Sequence, residues 1–327
     1  MHALRLVIRS GRDVSGGRFR LTHSTPRPVC PEHSESDYME LATFVQTLAN
    51  SLVLGSIYAL VAIGLSLAFG VMRMANFAHG EFYMVGAYVV YALYALAGWP
   101  FYAAVAVAVP VVAVLGMLTE RLIFRPTKSN TLAGFMATAG LAFILQVLAG
   151  QIWGVGLAKQ VPMPIVGATE IFGALISTQR LTIIPIAFAT LAALWVFLYR
   201  TKWGRGMRAC SIDPDAAALQ GIDIRKMSLL TMGLSGASAG LAGALMSPIY
   251  SVTPYMGHGV VLIAFIVVII GGMASVEGAV AAAFIIGFVH TFGTTIWDGI
   301  TATMLGVAFM AVILVIRPQG LFGQNPV

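Results

Sequence analysis

The sequence predicts an all-α polytopic membrane protein of about 8–9 transmembrane helices. Three observations carry this. Hydrophobic residues make up 58% of the chain and charged residues only 10%, against about 25% charged in soluble domains. Residues 41–72, 82–119 and 227–276 contain no Lys, Arg, Asp or Glu, and a spanning helix needs about 20 mostly apolar residues. The basic residues alternate with these stretches as they do in membrane proteins, concentrated on one side. The mean hydropathy of +0.87 leaves too little polar surface for a water-soluble fold.

Taken in order, span one covers roughly 45–70. Residues 82–119 are long enough for two spans, broken near "AGWP" at 97–100. Span four is about 132–150 and span five about 181–199. Residues 227–276 give two more, separated by "SPIYSVTPYMGHG", and the last two lie at 278–295 and 299–316. The shortest of these nine candidates are open to being re-entrant or broken, which is tolerated where backbone is buried in protein.

Orientation follows from the cations. With Arg121, Arg125 and Lys128 in the cytoplasm and each span crossing, Arg73, Arg200, Lys202, Arg205, Arg208, Arg225, Lys226 and Arg317 also fall inside. Only Lys159 and Arg180 fall outside. The C-terminus is then cytoplasmic. A pI near 9.5 reflects this asymmetry better than it reflects a nucleic-acid partner, and none is expected.

Residues 1–38 differ from the body. They carry six arginines and then the acidic, Ser/Pro-rich "STPRPVCPEHSESD", without an apolar core of signal-peptide length. They are expected to be a disordered extension, and a transit peptide is disfavoured by the acidic residues. The topology would put those arginines outside, which favours Met39 as the translation start. Cys30 and Cys210 lie in unlike segments, so neither a disulfide framework nor a zinc site is suggested.

Small residues recur in the spans. Gly236 and Gly240, and Gly150 and Gly154, form GxxxG pairs that permit close helix approach. Pro110 and Pro185 sit inside spans and are expected to kink them.

The loop 200–226, "RTKWGRGMRACSIDPDAAALQGIDIRK", is the most charged part of the body. Asp213 suits an N-cap, Pro214 the first helical position, and Asp215 the positive end of the dipole. "DAAALQ" propagates a helix of two turns at most, and Gly221 suits its end. So short a helix is marginal alone. It must dock either on this chain's own spans or in a partner's groove.

Asp215-Ala216-Ala217…Gly221 resembles the "EAA…G" coupling motif of ABC importer permeases, with Asp in place of Glu. "NSLVLGSIYALVAIGLSLAFGVMRMANFAHGEFYMVGAY", "GRGMRACSIDPDAAALQGIDI" and the terminal "RPQGLFG" extend the likeness. Together they resemble the branched-chain amino acid ABC transporter permeases of the LivH type, from Met39 to about Gly323. The resemblance implies a type II ABC-importer-like permease in a bacterial inner membrane. It implies two ATPase subunits, a second homologous permease and a periplasmic amino-acid-binding protein as partners. ATPase coupling then falls to Arg205, Arg208, Asp213, Asp215, Ala216, Ala217 and Gly221. The implied substrates are branched-chain amino acids; urea, amides or other amino acids remain alternatives.

The chain has no G-x-x-x-x-G-K-[ST], so ATP hydrolysis would fall to another chain. It has no HExxH, G-x-S-x-G or metal-spaced His/Cys cluster, and no enzyme activity, cofactor or metal is expected. A secondary transporter or channel is the competing class. Proton-coupled carriers usually place ionisable groups within spans, and here Glu277, His290, Asp298 and His258 are few and lie mostly near breaks.

Candidate residues of a substrate path are Asn50, Ser51 and Ser56 on span one, with Asn76 and His79 after it. Each is a polar group that needs a partner at membrane depth, and helix–helix hydrogen bonding is the competing role. The stretch "MRMANFAHGEFYMVGAY" (72–88) reads as a tight polar break near the cytoplasmic face, where Arg73 and Glu81 have the charges to pair. His79 and His258 each stand in a His-Gly step before an apolar run, either by coincidence or as a shared bend in two related halves.

Overall fold

A computed structural model of the chain describes residues 33–322 apart from positions 129, 157 and 274, with side chains described from residue 41. The first helix is α1 (His33–Met72), followed by α2 (His79–Val90), which continues as a wide turn over Tyr91–Leu96. Next come α3 (Phe101–Thr119), a wide turn over Glu120–Phe124, the single turn α4 (Arg125–Thr127) and α5 (Thr131–Trp153). After the strands β1 (Ala168–Ile171) and β2 (Ala174–Ser177) run α6 (Thr178–Arg200), α7 (Lys202–Ile212) and α8 (Pro214–Leu219). The chain ends with α9 (Ile224–Met246), α10 (Met256–Gly271), α11 (Val276–Ile296) and α12 (Gly299–Ile316).

Seven of these helices are long and apolar enough to cross a membrane. The two other apolar segments expected as spans, α2 and α10, are shorter, and their shortness matters below. Helix α1 begins at His33, inside the segment expected to lie outside the body; residues 1–32 lie outside the described residues.

The fold is built around α1. Its most apolar stretch is 83% buried, against 11% for α12. Burial on all sides explains why α1 is apolar all round rather than striped. Around it, backbones approach closely at glycines. A β-carbon on Gly287 of α11 would stand 2.6 Å from Cα of Gly55 in α1, and one on Gly240 of α9 would stand 2.7 Å from Cβ of Val112 in α3. The Gly236–Gly240 pair is thus a packing seam, as small residues make where lipid offers no hydrophobic drive.

The second GxxxG pair behaves differently. Gly154 adopts φ +92° and ends α5, with nothing near the position a β-carbon would take. It serves as a helix terminator, so that motif is not a packing face. Pro110 and Pro185 lie inside α3 and α6.

The hairpin β1–β2 was not anticipated. Its strands pair antiparallel, from Ala168 with Ser177 to Ile171 with Ala174. Phe172 and Gly173 have φ of +50° and +79°, the twist a two-residue loop needs. The signal in the sequence was a glycine between two short runs, too brief to outweigh the helical surroundings.

Candidate functional site

The polar stretch after α1 is a re-entrant break. Arg73 leaves the helix at φ +53° and donates from Nη2 to the carbonyl of Ile212 at 3.0 Å. The chain then turns back along α1. His79 Nε2 lies 2.9 Å from the carbonyl of Val61, about three turns, or roughly 16 Å, back from the end of α1. Helix α2 therefore starts deep inside the protein.

This corrects the expected Arg73–Glu81 pair. Arg73 stays exposed beside α7, while re-entry carries Glu81 inward, where it is 2% exposed. Its Oε1 accepts from Gln146 Nε2 of α5 at 2.7 Å, and that nitrogen lies 3.3 Å from His258 Nδ1 in the first turn of α10. Glu81 Oε2 has no hydrogen-bond partner among the described residues.

His79 is fully buried and engaged at both nitrogens. Val61 offers a carbonyl, so Nε2 carries the proton. That leaves Nδ1 to accept from Ser235 Oγ of α9, 3.4 Å away. Gly64 makes room for the ring: a β-carbon there would lie 3.0 Å from His79 Cε1. Asn76 Oδ1 accepts from the amide of Ala78, stabilising the turn into α2.

Helix α10 mirrors this arrangement. It too is short, and its first turn meets that of α2 at Gly80 and Gly257. Both His-Gly steps thus stand where a short helix begins at depth. Discontinuous helices whose N-termini converge near the midplane are the device many transporters use to build a site between repeats.

A cavity of about 700 Å³ opens at the end of the bundle where α6 begins. Tyr83 of α2 and Met256 of α10 line it within one turn of the Gly80–Gly257 crossing, so it reaches the broken helices. Its walls are mostly aliphatic, with Ile57 of α1 and Val260 of α10 among them. The polar groups include Arg180, which donates to Asn50 Oδ1, His290, Ser251, and threonines near the end of α11. His290 lies edge-on to Tyr58, with ring centroids 6.2 Å apart.

Of the expected path residues, Asn50 lines this cavity. Ser51 and Ser56 return their hydroxyls to the carbonyls of Leu48 and Leu52 and stay within α1. Asn76 and His79 belong to the re-entrant break. Arg180, Tyr58 and Tyr83 were missed. The available signal was that Arg180 is one of two cations on the otherwise cation-poor side.

At the opposite end of the bundle, α7 and α8 fill the charged loop. Thr201 caps α7 by accepting from the amide of Gly204. Asp213 caps α8 by accepting from the amides of Asp215 and Ala216 at 2.9 and 3.0 Å. Gly221, at φ +78°, donates to Ala218 while Ile222 donates to Ala217, the paired bonds of a glycine-terminated helix end. Ala217 is buried, whereas Asp213, Asp215, Ala216 and Gly221 are exposed. Leu219 is 89% exposed at the tip. Arg205 is exposed as well, but Arg208 stacks on the Tyr199 ring at 4.1 Å. Tyr199 in turn donates to Glu277 of α11.

The profile of the family described as "Branched-chain amino acid transport system / permease component" matches residues 47–317. The chain is 31% identical to the high-affinity branched-chain amino acid transport system permease protein LivH of Escherichia coli (strain K12), over 87% of this chain and 97% of that one. It is 30% identical to the corresponding protein BraD of Pseudomonas aeruginosa, over 88% and 98%. It is 29% identical to the probable permease LivH of Methanocaldococcus jannaschii, over 85% and 92%.

Proposed function

The chain belongs to the branched-chain amino acid transport system permease family, and from that premise we propose that it forms the membrane path of an ATP-driven ABC importer for branched-chain, hydrophobic amino acids. ATP hydrolysis is carried out by separate ATPase subunits. A second homologous permease and a periplasmic binding protein complete the assembly. The protein sits in a bacterial inner membrane with α7, α8 and the C-terminus in the cytoplasm.

The observation that carries coupling is the exposed tip of α8. The helix is defined at both ends by Asp213 and Gly221, rests on the body through Ala217, and presents Leu219 almost fully to solvent. A capped helix with a bare leucine suits insertion into a partner's groove. The small residues Ala216 and Gly221 beside it allow close approach. The aliphatic cavity at the other end supports an apolar cargo.

The test is co-purification with ABC ATPase subunits from the native membrane, followed by leucine uptake in proteoliposomes. ATP-dependent uptake is expected. Uptake that proceeds without ATP, or failure both to assemble and to transport, overturns the assignment.

A further inference from the structure

We propose that Arg180 reads the free carboxylate of the cargo inside the permease, so that the cavity at the start of α6 is a recognition site for a zwitterionic α-amino acid. This rests on the transport function proposed above.

Arg180 stands in the first turn of α6 and lines the cavity. Among the described residues its one hydrogen-bond partner is the neutral amide oxygen of Asn50, whereas a guanidinium offers five N–H donors. No Asp or Glu among the described residues lines the cavity. Among the described residues the ion pairs are Arg125–Glu120 and Lys226–Asp223, neither of them nearby. A half-buried cation beside aliphatic walls is costly without an anion. A carboxylate fits the guanidinium fork with two parallel bonds.

The lining contributed by α11 has the complementary polarity. Thr291, Thr294 and Thr295 line the cavity from the last turns of α11. Each hydroxyl donates to a carbonyl of its own helix: Thr291 to Gly287, and Thr294 and Thr295 to Thr291. With their protons committed to the helix, the hydroxyl oxygens have only acceptor capacity left, which is what an ammonium group requires. The cavity joins the N-terminal end of α6, favouring negative charge, to the C-terminal end of α11, favouring positive charge. Val53, Leu54, Ile57, Val260 and Ile263 of the same lining offer aliphatic contact to a branched side chain. A neutral polyol would leave the Arg180 charge unanswered.

The test compares leucine with leucinamide, which keeps the ammonium and side chain but lacks the carboxylate. Binding is measured on the full chain in lipid nanodiscs. The wild type is expected to prefer leucine by about tenfold or more, the scale of a charged hydrogen bond. Arg180→Gln is expected to lower leucine to the leucinamide level and leave leucinamide unchanged. Arg180→Lys retains part of the preference and controls for folding. Equal binding of the two ligands by the wild type, an undiminished preference in Arg180→Gln, or no leucine binding overturns the proposal. ATP-dependent leucine uptake by the assembled wild-type transporter is measured alongside. Uptake without discrimination by the permease overturns this inference alone; absence of uptake overturns the transport function.

Discussion

Gly80 and Gly257 touch backbone to backbone: a β-carbon on Gly257 would lie 2.6 Å from the carbonyl carbon of Gly80. The contact joins the first turns of α2 and α10, the two helices that begin inside the protein. Both backbones are rigid there, so neither can yield to an added methyl. Gly80→Ala and Gly257→Ala are each expected to destabilise the protein by about 1–3 kcal/mol, the usual range for overpacking. Gly140→Ala on α5 meets open space and is expected to be neutral. Thermal unfolding of the detergent-solubilised variants separates the two outcomes, and equal midpoints for all three would remove the crossing from the account.

Gln146 is the group that keeps Glu81 from being wholly unpaired. Gln146→Leu strips the bond to Oε1, when Oε2 already lacks a partner. The expected loss is about 1–3 kcal/mol, the penalty for an orphaned buried polar group. Glu81→Gln lowers the electrostatic cost of burial, so the double variant is expected to be more stable than Gln146→Leu alone. A double-mutant cycle of chemical denaturation measures the coupling.

The coupling proposed for α8 is expected to depend on how the helix is ended. Gly221 has open space around it but a left-handed backbone, so Gly221→Asn is expected to retain uptake and Gly221→Val to lose most of it. Removing the cap by Asp213→Ala costs about 1 kcal/mol of local helix stability, while Asp213→Ser preserves it. ATPase stimulation in proteoliposomes is the measurement, with the amount of membrane-inserted protein as the control. Loss of inserted protein in Gly221→Val would assign the residue to folding instead.

The cap of α9 has a defined acid limit. The backbone amide of Lys226 donates to Asp223, holding its carboxyl below the usual carboxylate range. A depressed folded-state pKa means that the stabilisation is fully present above the unfolded value, about 3.9. It falls away as pH drops through the lower folded value. Amide hydrogen exchange at Lys226 is expected to stay protected from neutral pH to about 4 and to weaken below it. Asp223→Asn, which does not ionise, is expected to show no such step.

The sequence determined the membrane class, the placement of nine apolar helical segments, and the ends of α8. Each depends on local composition or on a residue's own backbone preference. Runs without charge at positions 41–72 and 227–276 define apolar helical segments whatever they pack against. Asp213, Pro214 and Gly221 encode a helix start and stop within nine positions. Only the tertiary structure decided that Arg73 and Glu81 part company, that His79 ties α2 to α1 and α9, and that Arg180 meets Asn50 across 130 residues. The physical reason is re-entry. A few non-helical residues carry the chain back through three turns of its neighbour, so depth in the membrane no longer follows position in the sequence. Polar residues that look adjacent are then separated, and distant ones are brought into one cavity.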